Sequence, residues 1–233
     1  MKKILLFITT ILILVSCEKD STNSTSEIHI GQSSGMHNIT YDTLLTCTSF
    51  SNAFVDLDID FDGKMDFRFD MNYTDFEDDL RNPVSNLICL HSGSEVLGYL
   101  ENDSIFYYEE PDTEKLIVSY NCFEIITPEA SSSLYEVKTD QPKLEPKYYN
   151  EIINKTDSFI LDTITIIGKT STKYLNHNYD AIYKDFSCDD LPLNKVIYIG
   201  IKMVYGDNEK LGWIKLFLTE KDKIIIFESS IQQ

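Results

Sequence analysis

Residues 55–69 read VDLDIDFDGKMDFRF, five aspartates threaded through an apolar run that holds one glycine. Val55, Leu57, Ile59 and Phe61 alternate with acidic residues, and beyond Gly63 the alternation resumes through Met65, Phe67, Phe69, Met71 and Tyr73. A period of two belongs to a strand with one buried face, because successive side chains leave opposite sides of the backbone. On a helix the same apolar residues would spread around the circumference. The stretch is therefore predicted to be two strands flanking a loop.

The same texture recurs along the chain. NLICL (86–90), SIFYY (104–108), KLIVSYNCFEII (115–126), FILDTITIIG (159–168), KVIYIGIKMVY (195–205), GWIKLFL (212–218) and KIIIFES (223–229) are rich in β-branched and aromatic residues, with turn clusters such as YGDNEK and TEKDK between some of them. Helical spacing is scarce, and PKYYNEIINK (146–155) is the one segment where a short helix is expected. Spaced strands without intervening helices predict an all-β, antiparallel β-sandwich, jelly-roll-like, with at most one or two short helices. No Pro/Gly linker divides residues 28–233, so one domain is expected there, and no internal repeat points to a propeller or solenoid.

The first residues set the compartment. Lys2 and Lys3 precede ILLFITTILILV (4–15), an apolar core too short to cross a bilayer as a helix of about 20 residues, so residues 1–16 read as a signal peptide. The core ends in LVSC (14–17), which resembles the lipobox of bacterial lipoproteins. That resemblance implies cleavage before Cys17, acylation of its thiol and attachment to the lipid bilayer. Several acyl chains would anchor firmly, since each buried methylene contributes about 0.8 kcal/mol. Glu18, Lys19 and Asp20 resemble in part the surface-export signal of Bacteroidota lipoproteins, which implies the outer membrane as the address, on its surface or facing the periplasm. Residues 17–27 then form the lipidated cysteine and a tether, because STNSTSE (21–27) has no apolar side chain to bury. Asp20, Asp42, Asp103 and Asp162 each open a DSX or DTX triplet resembling the O-glycosylation acceptor of the same bacteria.

The chain carries a formal charge of −18, which excludes nucleic acid as a partner. With 42% hydrophobic and 12% aromatic residues, that acidity belongs to a globular protein and not to a disordered one.

Within the opening stretch, Asp58, Asp60, Asp62, Gly63 and Asp66 satisfy DxDxDGxxD. The spacing brings carboxylates from loop positions one, three, five and nine to one point, with the Lys64 carbonyl at position seven as a further oxygen. Hard oxygen ligands in that number suit Ca2+. An EF-hand would need a glutamate where Phe69 stands, and helices where strands are predicted. The loop is similar instead to the hairpin calcium loops of integrin-type propeller blades, which need no such glutamate. The alternative is an acidic hairpin with its polar face in water. Asp56 and Asp70 fall outside the register and are expected to be solvated or paired with Arg68. At the far end, YIGIKMVYGDNEKLGWIKLFLTEKDKIIIFESS (198–230) is similar to the closing segment of a loose group of exported bacterial proteins. In that group a DxDxDGxxDF loop precedes a YIG strand, a turn and a GWI strand; the likeness implies fold and compartment. Trp213 is expected in the core or at its rim.

Beyond Cys17, the cysteines Cys47, Cys89, Cys122 and Cys188 permit two disulfides in an exported protein, in three pairings, or four buried thiols. No HExxH, GxSxG or phosphate-cradling loop occurs, so no catalytic residue is assigned, and His29, His37, His91 and His177 read as isolated surface residues. Glu109 with Glu110, and Asp189 with Asp190, are neighbours that a strand would point to opposite faces. Three functional readings follow: a binding module for a glycan or protein, a glycan-directed envelope hydrolase, and a structural envelope component without ligand.

Overall fold

The computed structural model describes residues 26–47, 52–74, 82–110, 113–119, 133–167, 169–175, 181–187, 191–220 and 223–233. Residues 1–17, Cys122, His177, Cys188, Asp189 and Asp190 lie outside them, and with them the leader, the lipidation site and two of the cysteines.

The described strands are β1 (Glu27–His29), β2 (Met36–Thr46), β3 (Ala53–Leu57), β4 (Phe67–Thr74), β5 (Asn82–Cys89) and β6 (Ser94–Glu110). There follow β7 (Thr113–Ser119), β8 (Ser133–Leu144), β9 (Pro146–Lys147), β10 (Ile152–Asn154), β11 (Phe159–Ile160) and β12 (Thr163–Ile167). The chain closes with β13 (Lys169–Leu175), β14 (Ala181–Ser187), β15 (Val196–Tyr205), β16 (Asn208–Glu220) and β17 (Lys223–Gln232). Among the described residues there is no helix, and every pairing is antiparallel.

Two sheets form an open sandwich and not a closed barrel. A nine-stranded sheet runs in the order β11-β6-β15-β16-β17-β2, with β7 and β8 on β6 and β9 on β15; a four-stranded sheet runs β12-β5-β4-β3. Strand alternation decides what meets between them. Leu57, Phe67, Phe69, Met71, Leu87 and Ile164 from the smaller sheet share one core with Ile197, Ile199, Ile201, Met203, Ile214, Leu216, Ile224 and Ile226 from the larger. Burying a side chain of this size contributes about 1.5–3 kcal/mol, so this interface dominates stability.

The odd-numbered partners on β16 face the other way. Leu211 and Trp213, with Tyr198 from β15 and Leu97 from β6, form a second core beneath Ile28, Ile30 and Ile153 of the β1–β10 ribbon. Trp213 is only 2% exposed and meets Tyr198 edge-on, the core position expected of it. Gly200 makes the close approach of the ribbon possible: a Cβ there would lie 2.5 Å from Ile153 Cδ1.

The helix expected over residues 146–155 is not formed. Pro146 and Lys147 pair with Ile199 and Tyr198, Asn150 takes a positive φ of 70°, and Ile152–Asn154 pair with β1. Pairing with two neighbours and burial of Ile153 outweigh the weak helical spacing. FILDTITIIG divides between the two sheets, with β11 on β6 and β12 on β5.

Candidate metal site

Strands β3 and β4 pair from Ala53↔Met71 to Leu57↔Phe67 and deliver residues 58–66 as their connection. The Asp66 N–H donates to the Leu57 carbonyl at 2.8 Å, closing the neck of the loop. Ile59 is fully buried in the main core and pins the loop to the sandwich. Gly63 adopts φ 86°, the left-handed conformation available to glycine at no steric cost, and Phe61 adopts φ 64°. The Asp58 carboxylate holds both in place, accepting from the Phe61 N–H at 2.8 Å and the Gly63 N–H at 3.0 Å.

The loop gathers carboxylates. One oxygen each from Asp58, Asp60 and Asp66 lies within 4.8 Å of the other two, a cluster that can hold a metal ion. Asp60 accepts from the Asp62 N–H at 2.9 Å, and Asp66 accepts from the Ile59 N–H at 2.7 Å. An ionised carboxylate has about four acceptor sites, so each of the three keeps lone pairs for a cation after these bonds. Asp62 stands apart from the triad: it accepts from the Lys64 N–H at 2.7 Å and from Lys64 Nζ at 3.1 Å. Those contacts hold its carboxyl below the usual range, while Asp62 raises the Lys64 ammonium. Of the five residues expected to bind metal, Asp58, Asp60 and Asp66 converge, while Asp62 faces Lys64.

Two further side chains, Tyr205 and His91, close around the triad, neither readable from local spacing. Tyr205, at the end of β15, donates its hydroxyl hydrogen to Asp60 Oδ2. Tyr41 on β2 shares a hydrogen bond of 3.0 Å with Ser229 Oγ; burial, outweighing that bond and joined by the charges of Asp58 and Asp66, pushes its hydroxyl up to about 12. Tyr205 is raised as well, by burial and then by Asp60. His91 lies 2.7 Å from Asp66 Oδ1 through Nε2, while its Nδ1 accepts from the Gly93 N–H at 3.1 Å, so Nε2 carries the hydrogen and donates. Asp66 is 1% exposed, and burial raises its carboxyl despite the bonds from His91 and Ile59, with the Asp60 charge adding to the rise. The three carboxylates concentrate negative charge at one point, which a cation would offset.

Ser94 Oγ lies 3.0 Å and 3.3 Å from the two ring nitrogens of His91, which puts a serine, a histidine and an aspartate together. The arrangement is not that of a nucleophile relay. A relay needs the carboxylate on one ring nitrogen and the serine on the other; here Asp66 takes Nε2, the backbone takes Nδ1, and Ser94 is fully buried. It orients Asp66.

Outside the register, Asp56 and Arg68 form a bidentate pair of 2.6 and 2.8 Å across β3 and β4, as expected, and Arg68 also lies over the Phe54 ring. Asp70 accepts instead from Asn72 at 2.8 Å. Cys47 lies in the main core; Cys89 packs against it as a free thiol, so these two are not bridged to each other. Comparisons with protein-family models, with curated proteins and with solved structures returned no match.

Proposed function

We propose that the chain is an exported lipoprotein, held to the outer membrane through acylated Cys17, whose calcium-stabilised β-sandwich serves as a binding module for a glycan or protein. The observation that carries the reading is the convergence of Asp58, Asp60 and Asp66 on a strand-flanked loop that is itself pinned to the core through Ile59. An all-oxygen donor set favours Ca2+ over zinc or copper, and a flexible loop favours it over Mg2+, which gives up its waters reluctantly. Asp58, Asp60 and Asp66 would hold the ion, and its charge would neutralise the loop that ties the two sheets together at Asp60 and Tyr205.

A binding role, in preference to hydrolysis, is supported by the orientation of His91 and the burial of Ser94, which leave the one serine–histidine–aspartate grouping among the described residues without a usable base. Exposed aromatic side chains, Phe54, Phe61 and Tyr149 among them, give such a module rings on which a partner can stack. The test is retention of the full chain on immobilised polysaccharides and on envelope protein extracts, with calcium and after chelation. Retention that chelation weakens is expected. Equal loss of every partner in both conditions would leave only a structural role.

A further inference from the structure

The face of the nine-stranded sheet turned away from the sandwich core is covered at one end by the β1–β10 ribbon, which lies over Tyr198, Leu211 and Trp213. Four residues beyond Trp213 along β16, about 13 Å at the rise of a strand, an apolar row crosses four strands in register. Val196 stands opposite Phe217, Phe217 opposite Ile225, and Ile225 opposite Leu44. Their neighbours Ile197, Leu216, Leu218, Ile224, Ile226 and Leu45 all lie in the main core, so the four point away from it. Val196 is 40% exposed and Leu44 55%, and Phe217 and Ile225 are half-buried. Leu44 sits on β2, the last strand of this sheet's order among the described residues. A solvated sheet face carries polar side chains at such positions, and a contiguous apolar row marks a contact surface.

Two observations identify what covers it. In a chain where acidic residues outnumber basic ones by 38 to 20, Lys195 adjoins Val196 and Lys223 shares the face of Ile225, while Lys215, on the face of Phe217, pairs with Glu228 at 2.8 Å. Long basic side chains beside an apolar surface suit a lipid interface, where the stems lie on the apolar layer and the ammonium groups reach the phosphates. The second observation is the position of the N-terminus. Ile28 of strand β1 packs on this same face, two residues from Ser26, the first described residue. Residues 18–26 hold no apolar side chain with which to cover the row. Fully extended they span about 30 Å, which keeps any lipid on Cys17 within that distance of the ribbon.

We propose that this face rests on the bilayer, with Leu44, Val196, Phe217 and Ile225 against the boundary between headgroups and acyl chains. The inference depends on the reading of Cys17 as acylated and adds a second, non-covalent contact to that anchor. The anchor raises the local concentration of the face at the surface, so a contact too weak to recruit the free domain suffices to orient the tethered one. The overall charge of −18 opposes anionic lipid and favours a zwitterionic surface.

The test uses full-length acylated chain on phosphatidylcholine vesicles whose acyl chains carry bromine, a contact quencher of indole emission. Wild type, whose single tryptophan Trp213 is 2% exposed, should show little quenching. Phe217→Trp and Leu44→Trp should each lose roughly half or more of the added emission. Variants that float with the vesicles and are quenched no more than wild type overturn the inference while sparing the anchor. Chain that stays in the aqueous phase overturns the anchor reading and this inference with it. A Cys17→Ala chain that sediments as a dimer in lipid-free buffer, and as a monomer once Leu44→Asp is added, would assign the row to a second copy and likewise overturn it.

Discussion

Asp60 bonds to a tyrosine 145 residues away in the chain, and that contact explains both what the residue pattern discloses and what it hides. The carboxylate triad is legible because Asp58, Asp60 and Asp66 lie on one loop, where spacing alone fixes which side chains converge. His91 and Tyr205 are not legible, because only the pairing of strands brings them there, and neither is the burial of Tyr41. Its titration is a consequence that can be measured. An acid whose folded pKa is raised binds its proton more tightly when folded, so stability is intact below the unfolded value of about 10 and falls as pH rises from there toward Tyr41's folded value of about 12. Urea unfolding between pH 9 and 11.5 should show that loss, and Tyr41→Phe should reduce it. A thiol offers a second test. Burial pushes Cys89 up to about 11 from an ordinary 9.0, so at pH 8 the native protein should label at Cys89 about a hundredfold more slowly than the denatured chain. Equal rates would mean that the thiol is exposed.

At the scale of elements, the β3–β4 hairpin follows from alternation, since Leu57, Phe67 and Phe69 must share a face for any antiparallel pairing to bury them. The β15–β16 hairpin is legible for the same reason, with Gly206 at φ 61° in its turn. What alternation leaves open is which strand lies beside which. Segment 146–155 is misread as a helix because its own spacing is ambiguous and its partners, β1 and β15, lie far off in sequence. Packing between neighbouring strands is tight where glycines occur. A Cβ at Gly212 would lie 2.4 Å from the Ser230 carbonyl oxygen, and backbone cannot swing aside as a side-chain tip can. Gly212→Ala should therefore cost about 1–3 kcal/mol in urea unfolding, with the slope against urea unchanged. A variant as stable as wild type would show that β16 and β17 are not packed as described.

For the whole molecule, three layers stack: the β1–β10 ribbon, the nine-stranded sheet and the four-stranded sheet, with the loop of residues 58–66 where Tyr205 of the large sheet meets the hairpin of the small one. An ion there would act on the whole fold, because the unfolded chain has no preformed cluster to bind it. At a hundredfold excess over its dissociation constant, about 0.1–1 mM for extracellular sites, linkage gives about 2.7 kcal/mol. For a chain of this size that is a rise in melting temperature of roughly 5–10 °C. The deciding measurement is the melting temperature of chelator-stripped, folded protein with and without calcium, for wild type, Asp60→Ala and Asp70→Ala. Wild type and Asp70→Ala should rise by that amount with calcium and much less with magnesium, and Asp60→Ala should not rise. A wild-type melting temperature that calcium leaves unchanged would contradict the metal site, and would make Asp58, Asp60 and Asp66 a cluster held by its hydrogen bonds alone.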